Sequence, residues 1–96
     1  MREENARALK LPFVRILSTI ERHNAFPGDD IQLRGGWAID RDDLWSMAGV
    51  APEDADFLQT YDDYPVVSMM QIEDLGFCRK GEARDFVRAQ TLTADG

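Results

Sequence analysis

The chain is poor in the residues from which metal centres and nucleophile sites are built. Cysteine occurs once, as Cys78, and histidine once, as His23. A single cysteine closes no internal disulfide, and one Cys with one His cannot make the ligand set of a structural zinc site. No apolar run approaches the roughly 20 residues of a membrane span. No basic start leads into the apolar stretch of a secretory signal. A cytoplasmic protein without membrane contact is expected. The Gly-Gly pair in "RGGW" lacks the spacing of either nucleotide fingerprint. A calcium loop counted from Asp40 puts Trp45 and Ala51 where its Gly and Glu belong. With no marked base beside a Ser or Cys, the sequence points away from an enzyme, and neither metal nor cofactor is expected.

Positive charge is absent from a long stretch. The 96 residues carry 11 basic and 18 acidic side chains, a net charge of −7. Residues 1–41 hold seven basic and six acidic groups, residues 79–96 four and three. The 37 residues from Asp42 to Cys78 hold nine acids and no Lys or Arg. The composition, 44% apolar and 30% charged, is nevertheless that of a globular chain rather than a disordered one. Its length allows one domain, residues 1–96, with residues 1–11 as an N-terminal extension or dimer arm.

Among the patterns present, Leu9, Phe13, Ile16, Leu17 and Ile20 fall on one helical face. They predict a first helix from Pro12 to about His23, stopped by Asn24 and Pro27-Gly28. Trp37-Ala38-Ile39 suits a short strand after Gly35-Gly36. Asp40 then caps a short second helix that ends at Gly49. Pro52, Glu53 and Asp54 open a third helix over about 52–60. Residues 66–75 form a fourth, with Gly76 placed to close it in a left-handed conformation. Beyond Gly76 the period changes to two: Phe86, Arg88, Gln90 and Leu92 alternate with Val87, Ala89 and Thr91, predicting a β-hairpin turned at Gly81. The fold class expected is α+β, helices followed by a C-terminal β-hairpin with a short strand between the first and second helices.

That element order is the one found in winged helix-turn-helix domains. "IEDLGFCRK" resembles the end of the recognition helix and the entry to the wing in MarR-like regulators. "RDFVRAQTLTADG" resembles the return strand and the segment after it. "LPFVRILSTIERHNAF" resembles the opening helix of small phage-associated winged-helix proteins. The resemblance implies a nucleic-acid reader, but the candidate recognition helix offers carboxylates where phosphates would sit, which subtract from affinity.

The reading favoured on these grounds is a non-enzymatic acidic protein that binds another protein, a host partner with a basic or nucleic-acid-binding surface. A phage inhibitor such as an anti-CRISPR is its concrete form. The binding face would comprise Glu53, Asp54, Asp56, Asp62, Asp63, Glu73 and Asp74, using electrostatic steering. The alternative is a DNA-binding transcription regulator, plausibly a homodimer. It would contact bases with Ser68 and Gln71 and the phosphate backbone with Arg79, Lys80, Arg84 and Arg88.

Overall fold

In the computed structural model, which describes residues 1–90, every regular element is helical. They are α1 (Glu3–Ala8), α2 (Trp37–Ala48), a 3-10 turn (Pro52–Asp54), α3 (Pro65–Asp74) and α4 (Ala83–Ala89). No strand occurs among the described residues, so the α+β winged-helix expectation is overturned.

Each departure has a local cause. Of the five apolar residues spaced for a first helix, Leu9 caps the end of α1, and Phe13, Ile16, Leu17 and Ile20 fall in a segment over 12–22 that forms no regular element. Lys10 takes a positive φ of 54° at the end of α1, and Pro12 pushes Leu11 away from helical backbone. The next residues include Val14, Ile16, Thr19 and Ile20, whose branched Cβ atoms favour extended chain. Trp37-Ala38-Ile39 is the first turn of α2, not a strand. Along α2, residues 37, 41, 44, 45 and 48 lie half-buried on one face, the helical spacing that a three-residue window conceals. The third helix shrinks to the single turn at Pro52–Asp54, followed by extended chain at Ala55.

Where the hairpin was expected, α4 forms. Ala83, Phe86 and Val87 face inward at i, i+3 and i+4, while Arg84, Asp85 and Arg88 face solvent. Asp85 in the first turn and Arg88 in the last both suit the helix dipole. Over so few residues, alternation and a helical stripe share most of their apolar positions. The remainder of the expected hairpin, including Leu92 and the segment after it, lies outside the described residues.

Helices α2, α3 and α4 pack into one unit. The inward face of α3 carries Val67, Met70, Gln71 and Asp74, again at i, i+3, i+4 and i+7. Between α3 and α4, the Phe77 ring stands edge-on to Trp45 with centroids 6.0 Å apart and tilted to Phe86 at 6.4 Å, geometries favoured by the aromatic quadrupole. Outside this unit little is buried. Among the described residues, Met70 and Ala83 are the only buried apolar side chains. The radius of gyration is 16.0 Å, against about 12.5 Å for a compact chain of this length.

Candidate functional site

The expected acidic face divides in two. Glu53, Asp54, Asp56, Asp62 and Asp63 are exposed. Asp54 accepts the Ala51 N–H at 2.8 Å and so closes the 3-10 turn, and Asp62 accepts from the Ser68 hydroxyl at 3.3 Å. Glu73 and Asp74 turn inward instead. Asp74 is 4% exposed. It accepts the Gly35 N–H at 2.6 Å and the Lys80 ammonium at 2.9 Å, tying the chain before α2 to the loop before α4. Glu73 accepts the Ala83 N–H at 3.1 Å and pairs with Lys80 at 3.3 Å. Burial pushes the Glu73 carboxyl up, but the Ala83 and Gly81 amides and Lys80 together outweigh it and hold the group below its usual range.

The residues assigned to DNA contact separate likewise. Gln71, only 6% exposed, faces no solvent. Its carboxamide accepts the Tyr61 N–H at 3.0 Å and donates to the Tyr61 carbonyl at 2.8 Å and the Val67 carbonyl at 3.2 Å. Ser68 bonds Thr60 at 3.1 Å. Lys80 is committed to Glu73 and Asp74. Arg79, Arg84 and Arg88 are exposed, but on a loop and a helix, not on a wing.

Two structural residues carried no sequence signal. Gly35 is buried, and the Trp37 ring occupies the place a Cβ would take; the pair "GG" marks a turn but not a close approach. Trp45 donates its indole N–H to the Leu75 carbonyl at 2.8 Å, a bond across 30 residues that no local pattern encodes.

An open groove of about 1020 Å³ runs between α2, the 3-10 turn and the loop after α3. Trp45, Pro52, Phe77 and Cys78 supply its apolar wall, with Arg41, Arg79, Asp42, Glu53, Asp54 and Glu82 around them. The Cys78 thiol does not have the environment of a thiolate. Burial raises its pKa, and the Glu73 and Glu82 carboxylates raise it further against a smaller opposing effect of Lys80. His23 is not brought to it; its imidazole meets Glu21 at 2.7 Å on an exposed segment. Among the described residues no group of three His, Cys, Asp or Glu side chains could hold a metal ion. No helix among them is long and apolar enough to cross a membrane.

The packed unit coincides with a family boundary. The model of the thiolase C-terminal domain-like family matches residues 36–96, the stretch that begins at the N-terminus of α2 and takes in α3 and α4. The chain belongs to the thiolase C-terminal domain-like family. The match covers the segment "IEDLGFCRKGEARDFVRAQTLTADG", whose apolar-Gly-apolar-basic pattern is therefore not that of a winged helix, and the winged-helix, phage-inhibitor and regulator readings fall with it. The chain is 38% identical over 53 residues to the 17-hydroxy-3-oxo-4-pregnene-20-carboxyl-CoA lyase of Mycobacterium tuberculosis. It is 36% identical over 53 residues to the steroid side-chain-cleaving aldolase of Thermomonospora curvata. It is 33% identical over 51 residues to the acetyl-CoA acetyltransferase of Methanocaldococcus jannaschii. These stretches are 53–55% of this chain and 13–14% of each relative. The expectation of a non-enzyme is corrected on the same ground, since the relatives are enzymes. No solved structure matches the chain.

Proposed function

We propose that this thiolase-type segment is a working part of an enzyme that makes or breaks a carbon–carbon bond beside a coenzyme A thioester. The observation that carries the reading is the coincidence just described: the residues matched by the family are those that fold together through the Trp45–Leu75, Asp74–Gly35 and Glu73–Ala83 contacts. The relatives are named a CoA lyase, a side-chain-cleaving aldolase and an acetyl-CoA acetyltransferase, names that fit carbon–carbon bond chemistry with coenzyme A in two of the three.

The role fitted to this segment is support. Cys78 is held as a thiol and His23 lies elsewhere, so the nucleophile and base of such a reaction come from the larger share of the enzyme that these residues do not represent. The groove has two basic residues, Arg41 and Arg79, and four acidic ones, Asp42, Glu53, Asp54 and Glu82; that balance disfavours the polyphosphate of coenzyme A. Its apolar wall suits protein or the acyl and pantetheine portions of a thioester.

Reconstitution tests the proposal. The full chain is co-expressed with the Methanocaldococcus acetyl-CoA acetyltransferase lacking the stretch aligned to this chain and the segment ahead of it. Thiolysis of acetoacetyl-CoA by CoA, which consumes one thiol and yields two acetyl-CoA, should return. A folded complex that consumes no thiol would overturn the reading.

A further inference from the structure

The Gly-Gly pair of "RGGW" has no part in the reading above, and it lines a cavity of about 470 Å³ between residues 20–34 and the start of α2. The Trp37 ring occupies the place a Cβ on Gly35 would take, and the Arg22 side chain passes 3.1–3.3 Å from the place of a Cβ on Gly36. Two successive glycines thus let an aromatic ring and an aliphatic stem close on the backbone. Apart from Gly36 and Trp37, the lining precedes the family match at 36–96, so the match does not account for the cavity.

Its size lies within the roughly 300–1,000 Å³ of small-molecule sites, and its chemistry is narrow. Phe26 and Trp37, both half-buried, supply aromatic surface. The Arg34 guanidinium lies over the Phe26 ring, 3.8 Å from its centroid, a contact that holds a flat polar surface in place. Both guanidinium groups of the wall already have carboxylate partners. Arg34 forks to Asp29 at 3.1 and 3.3 Å, and Arg22 forks to Asp40. These charges cancel in pairs, which leaves neither an anion nor an amine selected. The other polar side chains are the carboxamides of Asn24 and Gln32, each both donor and acceptor.

We propose that this cavity binds an adenine base. Aromatic and guanidinium faces stack on a base, and a carboxamide presents the donor and acceptor that match the N6/N7 edge of adenine. A phosphate on the attached ribose gains nothing, because both arginines of the wall are already paired.

Adenosine titrated into the full chain tests the proposal. In Trp45→Phe, which leaves Trp37 as the sole tryptophan, adenosine should quench the emission. Because Trp45 also bonds Leu75, calorimetric titration of the unaltered chain should give the same constant without a variant. Asn24→Ala combined with Gln32→Ala should weaken binding about tenfold. Arg34→Lys, which keeps a charge beside Asp29 but loses the flat face over Phe26, should also weaken it about tenfold. Circular dichroism should stay unchanged in these variants, whose substituted residues are exposed. AMP at the affinity of adenosine extends the site to nucleotides, and weaker AMP confines it to the nucleoside. Tighter AMP, or an affinity that falls steeply with salt, would show that charge and not the base is recognised, and overturns the proposal. Absence of heat and quenching at millimolar adenosine overturns it as well, as does binding indifferent to all three substitutions.

Discussion

Asp74 and Glu73 are adjacent carboxylates with different tasks, and substitutions distinguish them. Asp74→Ala removes the acceptor of the Gly35 amide and one of the two partners of Lys80. A buried donor left without a partner, plus a lost charge-assisted bond, costs about 2–3 kcal/mol, read as a lower urea midpoint by circular dichroism. Asp74→Asn keeps an acceptor oxygen and should lose less. Glu73 governs the acid limb of stability. Its folded-state pKa is depressed against the pull of burial by two amides and Lys80, so its contribution is complete above the ordinary glutamate value of about 4.3. That contribution disappears as pH falls through the lower folded value. Stability should therefore drop below about pH 4.3, and Glu73→Gln should flatten that limb. A variant as steep as the parent there would show that another carboxylate is responsible.

At the scale of elements, the glycine stops were legible and the contents between them less so. Gly49 ends α2 with φ 71° and Gly76 follows α3 with φ 92°, as a left-handed residue at a helix end requires. No atom lies within 4 Å of a Cβ added at Gly49, so Gly49→Ala should cost only the conformational penalty, about 1 kcal/mol. The same charge rules that suggested a solvated acidic face could not tell Asp54, which closes a local turn, from Asp74, which bonds Gly35 at 39 residues' separation. Residues 12–22 and 83–89 failed for opposite reasons: one had helical spacing but branched side chains and a proline, the other had alternation too short to exclude a helical stripe. Gln71 shows the limit of reading residue type alone, since a carboxamide suited to a base edge instead clasps Tyr61 at both backbone groups. Gln71→Ala should leave those groups to water, destabilise by about 1–3 kcal/mol, and speed amide exchange at Tyr61 more than at Trp45.

Over the whole molecule, the exposed segment 12–22 changes how the isolated chain should unfold. A compact protein of 10.9 kDa hides about 10,000 Å² relative to its unfolded chain, from about 15,800 to about 5,600 Å². Ending at 8073 Å², this chain hides about a quarter less. The urea dependence of unfolding free energy scales with the area exposed. The isolated chain should therefore show a slope about three quarters of that of a compact domain of equal length. Most of the remaining transition belongs to α2, α3 and α4, since residues 12–22 have few contacts to lose. A full-sized slope for the chain alone would mean that residues 12–22 fold back on their own helices.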